Sequence, residues 1–180
     1  MSRLGQRKLR ARCRRLLRDL DVRPPFDVES LCDAYGRLRG RRIQLVSQPI
    51  ALPGPFGFWA AGRHVDYVVY QSETTKAHQD HIIVHELGHM MAGHTPDMPF
   101  DAPDEPDVDY ADIFPDLDPD VVRRVLRRTV YDDQKEHEAE IAATTVLDWA
   151  SAANRLAARP SGATDTDRIQ TSLADRLGWL

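Results

Sequence analysis

His85-Glu86-Leu87-Gly88-His89, at the end of the apolar run Ile82-Ile83-Val84, is the stretch on which the reading of this chain turns. On an α-helix, residues four apart stand about 40° from each other around the axis and roughly 6 Å apart along it. Both imidazoles can therefore reach one ion from one face, and Glu86 projects near that face, where it can hold a water. Ala77, Val84, Leu87 and Met91 continue the helical period, so one helix is expected from about Thr74 to Ala92, with Gly93 as its stop. His81 belongs to the same four-residue series as the pair. Three ligands along a straight helix would span roughly 12 Å against Zn–N bonds of about 2.0–2.1 Å, so His81 is expected on the helix face or behind the ligands.

The remaining composition narrows the class. A chain of 180 residues with 42% apolar and 29% charged residues can bury a core of its own. Residues 1–42 carry thirteen Lys/Arg against five Asp/Glu, and the rest carries eleven against twenty-three, so a basic front precedes an acidic body. Cys13 and Cys32 show no C-x-x-C spacing and suggest reduced thiols. No apolar segment follows the basic N-terminus, and no run approaches the ~18 residues of a membrane span. A cytoplasmic protein without membrane segments is expected.

Outward from the histidine helix, Leu9, Cys13, Leu16, Leu17 and Leu20 mark an amphipathic basic helix within residues 1–25, ended by Pro24-Pro25. The arginines carry no accompanying aromatic or groove-reading motif, so a solvated face is favoured and direct nucleic-acid binding is not expected. Asp27 caps a second helix with Gly36 near its stop. Ile43–Val46, Gly57–Ala60 and Asp66–Tyr70 read as strands, the last two joined by a turn at Gly62-Arg63. The expected fold is α+β, mostly helical, with a small antiparallel sheet packed on the histidine helix. An edge strand there can pair with an extended peptide and lay it across the ion. Residues 95–120 hold ten acidic residues, six prolines and no Lys or Arg, and read as a long acidic loop. A short helix from Val121 to Arg128, a long one from Asp133 to Leu156 and a last one within 161–180 complete the chain.

His-Glu-x-x-His is the zinc-metallopeptidase motif: two ligands, His85 and His89, with Glu86 as general base. A catalytic Zn2+ takes a third protein ligand and keeps one position open. His94 lies five residues after His89, one short of the metzincin spacing. The alternative is a carboxylate from the helix holding Glu136, Glu138 and Glu140, which leads directly into an Ala/Ile/Val/Leu-rich face. Tyr67, Tyr70, Tyr131 and His94 are candidate donors to an oxyanion.

The motif, followed downstream by Glu136-x-Glu138-Ala139-x-x-Ala142-Ala143-x-x-Val146-Leu147, resembles the ImmA/IrrE family of zinc metallo-endopeptidases. In that family the second signature reads Glu-x-Glu-Ala-x-x-Phe-Ala-x-x-Leu-Leu, and the glutamate before the alanine is the third zinc ligand. The resemblance covers roughly residues 26–150. It implies a zincin-like metallopeptidase domain over 26–160 with Glu138 as third ligand, and Glu136 or Glu140 as substitutes. Ala142 stands where the pattern has phenylalanine, and the acidic loop lengthens the gap between the motifs. The resemblance further implies a cytosolic protein substrate, a helix-turn-helix transcriptional repressor. A non-proteolytic zinc-binding regulator that inactivates its partner by binding is the alternative expectation.

Overall fold

The computed structural model describes residues 1–20, 22, 24–50, 55–62, 64–95 and 133–157. In it α1 (Arg3–Asp19) starts at Ser2, whose hydroxyl accepts from the Gly5 N–H, and buries Leu9, Cys13 and Leu17. Seven pairs of like charges lie three or four residues apart on its outer face. At ~0.2–0.5 kcal/mol each they oppose the helix by roughly 1.5–3.5 kcal/mol. Burying Leu9 and Leu17 alone contributes about 1.5–3 kcal/mol apiece, so packing wins.

α2 (Val28–Arg39) is capped by Asp27, which accepts from the Ser30 N–H at 2.7 Å. It runs past Gly36, the expected stop, to Gly40, whose φ of 66° lets the chain turn back. Gly36 serves instead as a contact point: a Cβ there would lie 3.0 Å from the Arg41 carbonyl oxygen.

β1 (Arg42–Gln48), β2 (Gly57–Ala61) and β3 (Val65–Gln71) form a sheet in the order β1-β3-β2. β2 and β3 are antiparallel, but β1 runs parallel to β3, so the sheet is mixed rather than antiparallel as expected. The reason is topological. β1 and β2 run in opposite directions, and β3, returning from the hairpin, slots between them. Asp66, fully buried, locks this arrangement: Arg39 Nη1 donates to Oδ2 at 2.7 Å and Arg41 Nε to Oδ1 at 2.6 Å. Arg39 also reaches Met90 Sδ at 3.2 Å, tying the α2–β1 corner to the next helix.

α3 (Lys76–Ala92) follows, capped by Thr75 and closed at Gly93, and α4 (Asp133–Ala157) packs along it. One core joins Leu9, Cys13 and Leu17 of α1 with Leu31 and Tyr35 of α2, Val68 of β3, Ile83, Leu87 and Met91 of α3, and Ala142 and Val146 of α4. The other sheet face carries a smaller cluster of Ile50, Phe58, Ala60, Tyr67 and Val69. Cys13 and Cys32 are free thiols inside the main core, and burial pushes Cys32 to about 12. No helix among the described residues is long and apolar enough to cross a membrane. The acidic stretch beyond residue 95, the helix expected at 121–128, Tyr131 and the C-terminal helix lie outside the described residues.

The α3–α4 crossing is set by Gly88. A Cβ at this position would stand 2.5 Å from the Ala139 carbonyl oxygen, while Ala139, Ala142 and Ala143 are each fully buried. Small residues on both sides thus let the backbones approach. Gly88→Val is expected to lower stability by about 2–3 kcal/mol, because the obstacle is backbone and cannot rotate away. Urea unfolding at unchanged m-value would measure it; a midpoint equal to that of the parent chain would contradict the close crossing.

Candidate metal centre

α3 brings His85 and His89 to the face that meets α4, and α4 supplies the carboxylate. His85 Nε2 lies 3.2 Å from His89 Nε2 and 3.1 Å from Glu136 Oε2, and His89 Nε2 lies 3.4 Å from Glu136 Oε1. A tetrahedral ion with bonds of about 2.0–2.1 Å sets its ligands about 3.3–3.4 Å apart. Two imidazole nitrogens and a carboxylate at these separations fit zinc in both donor type and spacing. His85, His89 and Glu136 are the one such group among the described residues.

Glu138, the ligand that the family resemblance implies, is not with them. Residues two apart on a helix point about 160° away from each other, so Glu136 and Glu138 cannot both face one ion. Glu138 Oε2 instead takes His94 Nε2 at 3.1 Å, and its Oε1 accepts from Gln134 at 2.9 Å. Glu140 stands behind the first histidine, its Oε2 3.6 Å from His85 Nδ1 and 3.8 Å from His81 Nε2. His81 thus occupies the helix face, as expected, at the rim of the site.

Glu86 is buried, 8% exposed, between α3 and β2. A Cβ on Gly57 would come within 3.7 Å of its Oε1 and would collide with Ile82, so only glycine lets β2 pass this close to α3. In the hairpin Phe56 O accepts from Gln71 N–H and Val65 O from Gly62 N–H, each at 2.9 Å. By antiparallel alternation Phe58 and Ala60 also face β3, while Gly57, Trp59 and Ala61 turn their main-chain groups outward. Among the described residues no strand pairs with that edge. The general-base candidate therefore sits beside an open strand edge. Of the candidate oxyanion donors, Tyr67 is buried in the cluster on the far sheet face, whereas Tyr70 packs on the α3 side.

The electrostatics follow from this crowding. Burial opposes ionisation of Glu136, but the His85 hydrogen bond and the two imidazoles beside it override it and hold its carboxyl at about 2. Burial likewise opposes charge on His85, yet its bond to Glu136 and the charges of Glu86, Glu136 and Glu140 raise its pKa. Glu86 is raised, chiefly by burial, against the pull of both histidines and the Trp59 N–H. The Gln134 amide and the His94 ring keep Glu138 below its ordinary range.

No protein-family model, curated protein or solved structure matches the chain. Sequence reasoning missed the face of α4 that meets Gly88. Ala139 and Ala143, three and seven residues after Glu136, are the signal that could have found it.

Two outcomes are expected. Glu136→Ala should weaken zinc binding roughly 100- to 1000-fold, one ligand's share of the ~10–16 kcal/mol reached at structural zinc sites. Competition against a chromophoric chelator measures this, and unchanged affinity would remove Glu136 from the site. Glu86 makes the second. Its folded pKa is raised, so the metal-free protein bears a cost for the carboxylate at neutral pH that vanishes as pH falls below the ordinary glutamate value. Metal-free Glu86→Gln should therefore be more stable than its parent at pH 7, with the gap closing towards pH 4. Chemical denaturation at the two pH values tests the sign.

Proposed function

We propose that this chain is a zinc-dependent endopeptidase of the ImmA/IrrE type, with a zincin-like arrangement of motif helix, sheet edge and ligand helix. The observation that carries the reading is the meeting of His85, His89 and Glu136 from two helices, with Glu86 buried alongside at the open edge of β2. A zinc ion held by the three residues supplies positive charge for a carbonyl oxygen and a water acidic enough to react near neutral pH.

The protein's own groups account for the rest. An extended peptide adds to β2 through the outward main-chain groups of Gly57 and Ala61 and the Trp59 carbonyl, the Trp59 N–H being held by Glu86, and this lays its backbone beside that carboxylate. Glu86 takes the proton of the attacking water and returns it to the leaving amine. Its raised pKa favours the first transfer, because a poorly solvated carboxylate accepts a proton more readily than one in water. Behind the rings stand His94, which contacts His89 Nδ1 at 3.0 Å, and Glu140, 3.6 Å from His85 Nδ1. The substrate proposed is a cytosolic protein, a helix-turn-helix repressor, and this part rests on the resemblance of the two motifs alone.

Glu86→Gln decides the matter. It should bind zinc like the parent while losing about 10²- to 10⁴-fold in chelator-sensitive cleavage, read by mass spectrometry on a mixed peptide library and on a co-expressed repressor. Undiminished cleavage by this variant would overturn the assignment. Zinc uptake with the repressor bound but intact in the parent protein would favour a regulator that acts by binding.

A further inference from the structure

We propose that His94 and Glu138 are positioning residues that fix the proton of His89 on Nδ1 and so present Nε2 to the ion. This rests on the zinc reading given above. The contacts form an unbroken line. His89 Nδ1 lies 3.0 Å from His94 Nδ1, His94 Nε2 lies 3.1 Å from Glu138 Oε2, and Gln134 Nε2 donates to Glu138 Oε1 at 2.9 Å.

Chemistry sets the direction of the line. A carboxylate only accepts, so His94 must carry its proton on Nε2. With His94 Nε2 donating to Glu138, the geometry leaves its Nδ1 to accept across the 3.0 Å contact and assigns that hydrogen to His89 Nδ1. That leaves the lone pair of His89 on Nε2, the atom that faces His85 and Glu136. A chain anchored at Glu138 thus selects the Nδ1–H tautomer against the pull of Glu136, whose Oε1 lies 3.4 Å from Nε2 and favours a proton there when no ion is present.

The backbone is built to hold this line. Gly93, at φ 84°, ends α3 with paired bonds from its own N–H to Met90 O at 3.1 Å and from the His94 N–H to His89 O at 3.0 Å. This six-to-one closure folds His94 back over the last turn, directly above His89. Arg12 of α1 secures the same turn by donating to Ala92 O at 3.2 Å. The His94 side chain is 9% exposed and Glu138 19%, so water competes little for either contact. Glu138 therefore serves the site from behind His89 instead of ligating.

Two sets of measurements test the proposal. In the metal-free parent protein, long-range ¹⁵N–¹H correlation of the His89 ring should report the Nδ1–H tautomer. In His94→Phe, which keeps a ring and removes both nitrogens, it should shift towards Nε2–H. Zinc affinity should fall about 10- to 100-fold in His94→Phe and in Glu138→Ala, and the double variant should be no worse than either alone. His94→Gln, whose amide can both accept and donate, should recover most of the loss. Parent-like affinity in both single variants, or an Nε2–H tautomer in the parent, would overturn the relay. Loss of binding in Glu138→Ala with retention in Glu136→Ala would make Glu138 a direct ligand and overturn it as well. If the parent takes up no zinc, the zinc reading fails while the tautomer still decides the relay. The parent measurement needs no variant to fold.

Discussion

The contact between Gly88 and the Ala139 carbonyl is the constraint from which the site follows. Helix axes normally stand 8–10 Å apart, at a distance set by the side chains between them. Removing the Cβ at Gly88 and keeping α4 to alanine at 139, 142 and 143 lets the two backbones touch. Glu136 is one turn before the contact on α4; His85 and His89 are three residues before and one after it on α3. A crossing any wider would leave the carboxylate short of the imidazoles. Ala142, which departs from the phenylalanine of the family pattern, is fully buried at this junction. A large ring there would compete for the space that the close approach has removed.

A second close approach sets the other half of the site. Gly57 lets β2 lie against Ile82 of α3, and this places the strand edge next to Glu86. The price of seating a carboxylate there is desolvation, offset in part by the two histidines and the Trp59 N–H. The Asp66 cluster keeps the sheet in place from behind, since its two guanidinium partners come from the α2–β1 corner and one of them also contacts α3. Such a buried group is costly to disturb, because removing either kind of partner would leave an unpaired charge. Glycine at 57 and 88 thus sets where Glu86, Glu136 and the two histidines stand.

Much of this architecture was legible in the sequence. Apolar periodicity located α3, and glycine at 93 marked its end to the residue. Asp27 was recognisable as a cap, and the three strands were found within one or two residues of their ends. Strand pairing was not legible, because alternation tells which face is buried and says nothing of which neighbour lies alongside. Which carboxylate faces the two histidines was not legible for a related reason. Glu136, Glu138 and Glu140 share one acidic run, and only the face of α4 that packs on Gly88 separates them. A motif aligned by its Glu-Ala pair points to Glu138; the buried alanines at 139 and 143 point to Glu136.

The order in which these parts depend on one another bears on how the protein would use an ion. In a small zinc finger the ligands are the core, and the chain is unfolded without metal. Here Leu87, Ile83, Met91, Ala143 and Val146 hold α3 and α4 together, with none of His85, His89 and Glu136 among them. His85, His89 and Glu136 stand at the margin of that contact, 15–32% exposed, where they already pair with one another. Metal binding would therefore exchange the His85–Glu136 hydrogen bond for coordination with little movement of either helix. In such an arrangement the packed core, and not an ion, supplies the geometry of the three side chains. The same packing keeps His94 on His89 and Glu138 on His94 with no ion present.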